Sequence, residues 1–243
     1  MNFLRLVDDF MDSERWQYDD TDQNFFAFAV GQIGRYYYFL PIIRLRVEHE
    51  IREYLRLNAE RRDSLAAGEL RQLGENEVRA LEAEMFLARQ IQLDVESYYV
   101  FGKIVLNKAA NFIEDYFGHT QDCSFKSHDK LIGCFERFVA ARGLSIPPGL
   151  LALAKKLKTV LVDYRDKQIE HFHNPRRGVA LAHAPDEGVR LVATFLEPKD
   201  SDKGAISTPI GELQNDIDAY VGAIWKLIQD NRSKSRFKLR TKI

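Results

Sequence analysis

The sequence predicts an all-α protein, an up-and-down helical bundle that carries one inserted β-hairpin. Apolar residues recur at helical spacing through most of the 243 residues, and the stretch from 77 to 117 contains no proline. Alternation with a period of two residues is confined to 178–196. Seven prolines and fourteen glycines are also few for an all-β protein of this length.

The first part of the chain predicts an acidic extension and then three helical runs. Residues 1–23, the N-terminal arm, are rich in aspartate and are expected to be a solvated extension. Helical runs over 24–40 and 42–63 meet at Pro41, which predicts either a kinked pair or one bent helix. Apolar spacing over 77–117 predicts one very long helix, or two stacked end to end, as the central buried element.

Local start and stop signals define the next two helices. Gly118 is expected to end the long helix, and Ser127 to cap a shorter one that ends at Gly143. Another helix is expected to begin at the pair Pro147–Pro148. It stops before Asn174–Pro175, because the residue that precedes a proline disfavours helical geometry.

The last part of the chain predicts the hairpin, one more helix and a basic end. Residues 178–196 alternate in polarity on both sides of a turn, which is typical of a hairpin. Thr208–Pro209 is a cap followed by a proline at the first helical position. The helix after it is expected to reach 231, so that 24–231 form a single helical domain, and residues 232–243 form the C-terminal tail.

Composition and targeting signals exclude several classes of protein. With 45% hydrophobic and 29% charged residues and a net charge of −1, the chain is neither disordered nor a disulfide scaffold. Acidic residues arrive before any apolar stretch long enough for a secretion signal. The apolar region 25–45 is interrupted by Gln32, Arg35 and Pro41, so it is not expected to cross a membrane. We expect a cytoplasmic protein with no membrane partner.

The sequence contains no standard phosphate-binding or metal-binding motif, so no cofactor and no metal are expected. Cys123 and Cys134 lie eleven positions apart, which indicates two reduced, packed thiols. The alternative is that both share a metal with His128, and a fourth ligand would then come from elsewhere in the chain.

The end of the helix that starts near Pro148 contains a candidate catalytic motif. Arg165 stands six positions before His171, and the polar Asp166 follows the arginine. Other pairs have similar spacing, so the spacing alone selects none of them; they are Arg44 with His49, and Arg176 and Arg177 with His183. The surrounding sequence distinguishes the pair Arg165 and His171 from the other pairs, because an apolar helix precedes it and a helix stop follows it.

This arrangement resembles the R-x(4–6)-H motif of the HEPN superfamily (higher eukaryotes and prokaryotes nucleotide-binding). The long helix, with its stretch DVESYYVFGKIVLNKAANFIEDYFG, resembles the first core helix of that family. The similarity covers about 77–231, and the helices before residue 64 and the hairpin are additions. The resemblance implies a metal-independent endoribonuclease of the toxin or phage-defence kind, with RNA and a cognate antitoxin as partners. The alternative is a non-catalytic HEPN-like module that binds nucleotide, RNA or a protein.

The resemblance also implies a role for each residue of the motif. His171 is the general acid or base at a ribose 2′-hydroxyl, Arg165 holds the phosphate, and Asp166 orients them. Six helical positions turn about 600°, so Arg165 and His171 do not share one face of a straight helix. HEPN proteins typically assemble the site from two copies, and we therefore expect a homodimer. His173 is a candidate auxiliary group for proton transfer or phosphate contact.

The same residues also fit a purely structural interpretation. In it, Arg165 is an exposed helix charge, and Asp166 belongs to a solvated pair. His171 and His173 then favour the negative end of the helix dipole.

The C-terminal tail is the most basic part of the chain and contains no acidic residue. A disordered basic tail is expected to contact RNA phosphates with a salt-sensitive affinity. The alternative is a solubilising chain end. Its basic residues alternate with others and are Arg232, Lys234, Arg236, Lys238, Arg240 and Lys242.

Overall fold

A computed structural model describes residues 5–65, 74–121, 123–162, 177–184, 188–195 and 210–240, with side chains for 5–60, 74–121, 123–162 and 210–240. The described chain is predominantly helical, as the sequence predicts. Its α-helices are α1 Leu6–Glu14, α2 Asp20–Tyr37, α3 Phe39–Leu65, α4 Glu75–Phe117, α5 His128–Arg142, α6 Leu150–Leu157 and α7 Ile210–Asp230. Shorter turns are the 3₁₀ segments Arg15–Gln17 and Arg232–Lys234 and the π-helical Lys158–Val162.

The helical runs around Pro41 form two separate helices rather than one continuous helix. The Asp19 side chain caps α2 by accepting a hydrogen bond from the Asp22 backbone N–H at 2.9 Å. Tyr38 separates α2 from α3, and Pro41 falls in the first turn of α3. Proline is tolerated there because the N–H groups of a first turn have no partner within the helix.

α4 is a single helix of 43 residues, about 65 Å long at 1.5 Å per residue. Its first turn is closed by the Glu77 carboxylate, which accepts a hydrogen bond from the Gly74 backbone N–H at 2.7 Å. Its second half, from Ile91 to Phe117, carries most of the buried positions and forms the centre of the bundle. The prediction of one very long central helix is therefore confirmed.

The other long helices pack around α4. Arg46 of α3 contacts Asp94 of α4 at 3.0 Å, and Asn58 donates to Glu84 at 2.8 Å. Residue numbers rise along α3 as they fall along α4, so the two helices are antiparallel. α7 lies against another face of α4, where Tyr98 donates a hydrogen bond to a buried glutamine of α7.

The predicted caps around α5 are confirmed, and α6 differs slightly from the expectation. Ser127 accepts a hydrogen bond from the Lys130 backbone N–H, and Gly143 ends α5 in the left-handed conformation with φ of 60°. α6 begins at Leu150, two residues after the predicted proline start, because the left-handed Gly149 with φ of 81° precedes it.

Two strands are present in the described backbone, Arg177–Ala184 and Gly188–Phe195. We name them β1 and β2. They pair antiparallel, with Arg177 opposite Phe195 and Ala184 opposite Gly188. Their side chains lie outside the described part of the chain.

The expectation that the N-terminal arm is a solvated extension is wrong over residues 5–23. Val7 and Phe10 of α1 are buried, and the Phe10 ring stacks on Trp225 of α7 with ring centroids 4.1 Å apart. The aspartates of α1 are exposed, and the apolar residues lie on its opposite face. The acidic composition of the arm therefore led to a wrong prediction, because its aspartates lie on the exposed face of a short amphipathic helix that packs against α7.

The expectation of a disordered C-terminal tail is also wrong over residues 232–240. Phe237 is buried in the core. The backbone N–H of Asp19 donates to the Lys238 carbonyl at 2.9 Å, and the N–H of Arg240 donates to the Gln17 carbonyl at 2.8 Å. The tail is held because it pairs with the segment between α1 and α2 and inserts an aromatic ring beneath it.

Candidate functional site

The predicted catalytic residues lie outside the part of the chain that the structure describes. Arg165, Asp166, His171 and His173 all fall within 163–176. What the structure describes is the segment that leads to them: α6 passes directly into the π-helical turn Lys158–Val162.

The end of this segment is anchored in the bundle core. Leu161 is fully buried, and a Cβ added at Gly102 of α4 would lie 3.0 Å from a Leu161 methyl and 3.7 Å from Ile217 of α7. Glycine at 102 therefore allows the π-helical turn to approach α4 closely. Nearby, the Lys156 ammonium pairs with Asp216 at 2.6 Å. The last described residues before the motif are therefore held in a fixed position beside α4 and α7.

A buried polar network lies close to this position and joins α2, α4 and α7. Asp218 Oδ1 accepts hydrogen bonds from the Tyr37 hydroxyl and the Gln214 amide, both at 2.7 Å. The Gln214 carbonyl oxygen in turn accepts from the Tyr98 hydroxyl at 2.9 Å. Asp218 follows Ile217 in sequence, and Tyr98 lies one turn before Gly102.

Asp218 is the titratable centre of the network. Burial raises the pKa of its carboxyl group, while the hydrogen bonds from Tyr37 and Gln214 oppose that rise. Burial and the neighbouring carboxylate likewise raise the pKa of Tyr37. Asp218 Oδ2 is buried and has no hydrogen-bond partner among the described residues. The spare acceptor lies on α7, on the carboxylate that receives the Tyr37 hydroxyl of α2.

A second polar site surrounds the carboxyl end of α4. Gly118 ends the helix with φ of 81°, and the following His119 turns back so that its Nδ1 lies 2.7 Å from Glu114 Oε1. The other Glu114 oxygen accepts from the Phe125 backbone N–H at 2.9 Å. The Glu114 side chain is 7% exposed and that of His119 is 70% exposed.

A cleft of about 580 Å³ lies beside this pair. Glu114 and His119 line it, together with polar side chains of α4 and of the loop before α5. These include Asn111, Asp115, Thr120 and Lys126.

His128 and the two cysteines form packed structure. Cys123 and Cys134 are buried free thiols, and the Cys123 thiol donates to the Cys134 carbonyl at 3.3 Å, which confirms the prediction of packed cysteines. His128 is completely buried edge-to-face against Tyr220, with ring centroids 5.4 Å apart. Neither ring nitrogen of His128 has a hydrogen-bond partner among the described residues. In that part of the chain, no group of three or more His, Cys, Asp or Glu side chains is arranged to hold a metal ion.

The burial of His128 predicts that acid destabilises the protein. Burial lowers the pKa of His128 to about 4, Lys158 and Lys103 add to the effect, and Asp129 opposes it. The unfolded chain, with a histidine pKa near 6.5, binds the proton first, so stability falls as pH drops from about 6.5 toward 4. Between pH 7.5 and 5 we expect a loss of about 2 kcal/mol from this residue. Urea unfolding of His128→Leu should lack this component and His49→Leu should retain it; equal pH slopes in both variants would contradict the assignment.

Some basic side chains of the C-terminal tail form ion pairs with acidic residues of the N-terminal arm. Arg232 makes two hydrogen bonds to the buried Glu14 carboxylate, at 2.9 and 2.7 Å. Arg240 lies 3.6 Å from Asp20, an exposed pair. Lys234 forms no ion pair with any other described residue.

Arg236 and Lys238 are the remaining basic residues in the described part of the tail. Arg236 lies 3.9 Å from Asp115 and over the ring of Phe25. Lys238, like Lys234, has no ion-pair partner within the described chain. Lys242 lies outside it.

Sequence reasoning missed Glu114, His119 and Asp218. The only local signal for the first two was a glycine after a helix followed by a histidine, and the partner of Asp218 is 181 positions away in sequence. No family model, curated protein or solved structure matches this chain. Of the described helices, none combines the length and the apolar character that a membrane span requires.

Proposed function

We propose that this chain is a HEPN-like helical protein that acts as a metal-independent endoribonuclease through Arg165 and His171. The observation that supports the proposal is the π-helical turn Lys158–Val162, which ends three positions before Arg165 in the sequence. π-helical turns are rare, and they recur at functional sites because they interrupt the regular hydrogen-bond ladder. A predominantly helical chain with one long central helix agrees with the same family resemblance.

The chemistry follows from the residue types. A neutral imidazole of His171 accepts the proton of a ribose 2′-hydroxyl, and the freed oxygen attacks the adjacent phosphorus. The bond from phosphorus to the 5′-oxygen breaks, and that oxygen takes a proton from the imidazolium formed at His171, which returns the histidine to its neutral form. Arg165, always charged and forked, holds the phosphate oxygens as negative charge builds on them. Asp166 orients these groups, and His173 is a second proton-transfer candidate.

We propose that this site forms between two copies of the chain, because residues six positions apart, such as Arg165 and His171, do not share a face of any straight helix. The proposed partners are therefore a second copy and RNA, together with a cognate antitoxin if the nuclease is a toxin.

The second candidate function is RNA binding without cleavage by the same kind of helical module. The observation that favours it is the pair of tail lysines, Lys234 and Lys238, which have no ion-pair partner in the described chain. They lie on a segment fixed against the bundle, so they contact phosphates without the ordering cost of a loose tail.

RNA cleavage in EDTA tests the two functions. We expect wild type to cleave structured and single-stranded RNAs, and Arg165→Ala and His171→Ala to lose at least about 100-fold in rate. His49→Ala is the matched control, because Arg44 and His49 have related spacing within α3 but no helix stop. No cleavage by wild type, or equal rates in all variants, would reject the nuclease and leave the binding module.

A further inference from the structure

One side of the long helix α4 carries a stripe of apolar side chains that reach the surface. Phe86 and Leu93 are 64% and 62% exposed. Val100 and Ile104 continue the line and are half-buried. Successive members of this stripe are seven, seven and four positions apart, so all four lie on one side of the helix. Such spacing is typical of a helix that pairs with another helix.

The neighbouring helix α3 widens this apolar surface. Phe39 of α3 contacts Phe101 of α4 edge-to-face, with ring centroids 5.2 Å apart. Further along the same pair of helices, Arg46 contacts Asp94. Ile42 lies between these two contacts along α3 and is exposed. We name the stripe together with Phe39 and Ile42 the α3–α4 face. Extended apolar surfaces of this kind mark sites of protein association.

The charged residues beside the stripe carry both signs. Glu82 and Arg89 are exposed, Lys108 is half-buried, and none of the three forms an ion pair with another described residue. Glu96 accepts a hydrogen bond from the Gln92 amide at 3.0 Å. A polyanion such as RNA, or an anionic membrane surface, would meet as many carboxylates as cations here. A surface that contains both signs instead complements a second copy of itself.

We propose that the α3–α4 face binds the same face of a second copy of this chain, with the two α4 helices antiparallel around a two-fold axis near Val95. In this register, Phe86 packs against the partner's Ile104, and the symmetry repeats that contact at the other end of the interface. Glu82 lies beside the partner's Lys108 in the same way. Apolar side chains therefore meet along the centre, and opposite charges meet at both ends.

The charges select the antiparallel arrangement over a parallel one. A parallel pair would place Glu82 beside the partner's Glu82 and Lys108 beside the partner's Lys108. Like charges that face each other destabilise an interface, whereas the antiparallel register converts both contacts into ion pairs.

This interface goes beyond the proposed nuclease and does not use its motif. The π-helical turn packs against Gly102, which lies nine positions after Leu93 and therefore about 180° around α4 from it. The α3–α4 face is thus on the other side of the helix from the turn. A chain that associates through both surfaces forms assemblies larger than a dimer.

Light scattering after size-exclusion chromatography of the full chain tests the proposal. We expect wild type to self-associate and Leu93→Glu to halve the mass of the assembly. Leu93 is largely exposed, so circular dichroism of this variant should match that of wild type. Met85→Glu is the matched control, because Met85 is also exposed on α4 but lies about 80° or more away from the stripe, and it should keep the mass of wild type.

A charge exchange tests the ion pairs of the same interface. Glu82→Lys should weaken self-association by about tenfold, because the two-fold axis repeats the lost contact at both ends. Combining Glu82→Lys with Lys108→Glu should restore the affinity of wild type, since opposite charges then meet again. Sedimentation equilibrium gives the three dissociation constants, and a double variant that associates as weakly as Glu82→Lys alone would contradict the register.

Disulfide cross-linking tests the direction of the helices without disrupting the interface. Phe86→Cys and Ile104→Cys should form a cross-linked dimer only when the two variants are mixed, because identical positions are about 27 Å apart in the antiparallel register. The native Cys123 and Cys134 are buried and leave the introduced thiols as the accessible ones. A monomeric wild type, an unchanged mass for Leu93→Glu, or cross-linking of either cysteine variant alone would each overturn the proposal.

Discussion

Replacing Phe237 with alanine is expected to lower the free energy of unfolding by about 3–5 kcal/mol. The Phe237 ring is 6% exposed and lies edge-on to Tyr18 and Tyr116, with ring centroids 5.7 and 5.3 Å apart. It also contacts Phe25 and Phe26 in the same way. Alanine would leave a cavity at the centre of this aromatic cluster, and the hydrogen-bonded Tyr18 and Tyr116 hydroxyls leave little freedom to close it.

Leu239 provides a matched control, because it lies two residues further along the same tail but is 46% exposed. Leu239→Ala should change the free energy of unfolding by well under half as much as Phe237→Ala. Urea unfolding followed by circular dichroism gives both values. Similar small losses in the two variants would show that the tail is peripheral to the fold and not part of its core.

The described fold agrees with the sequence where local signals decide the structure. α4 and the caps at Ser127 and Gly143 depend on residues within a few positions of each other, so periodicity and cap chemistry suffice to predict them. The start of α6 was missed by two residues, since the left-handed Gly149 had no separate signal from the two prolines before it.

The failed expectations share one physical cause, which is pairing between distant segments. The N-terminal arm and the C-terminal tail each appear polar alone, but α1 packs against α7, and the tail pairs with the segment between α1 and α2. Tyr18 bridges Leu239, and Glu14 pairs with a residue 218 positions away. No window of sequence contains both halves of such a contact.

The candidate sites also differ in whether their residues are close together or far apart in the sequence. The Arg165–His171 motif was found because its residues are close in sequence, although other Arg–His pairs share the spacing. Glu114 and His119 are also close in sequence, but only the structure shows that the loop after α4 brings the Phe125 backbone N–H to the same carboxylate. Asp218 depends on side chains from three helices and was beyond the reach of spacing arguments.

Replacing Arg232 with methionine is expected to cost about 3 kcal/mol of stability at neutral pH. The Glu14 side chain is 3% exposed, and Arg232 supplies two of its hydrogen bonds while the Gln229 amide supplies a third at 3.2 Å. Without the guanidinium, a buried carboxylate has only one neutral donor in the described chain. The loss lies near the lower end of the range for a broken buried pair, because the Arg232 side chain is 33% exposed.

A double variant separates the cost of an unpaired charge from lost packing. Glu14→Gln combined with Arg232→Met should recover a substantial part of the stability lost in Arg232→Met alone, because no buried charge then remains. Arg240→Met is the control, since its partner Asp20 is almost fully exposed and the pair contributes little. If the double variant is as unstable as the sum of its single changes, Arg232 supports the fold through its aliphatic stem and the joining of the two chain ends does not depend on the ion pair.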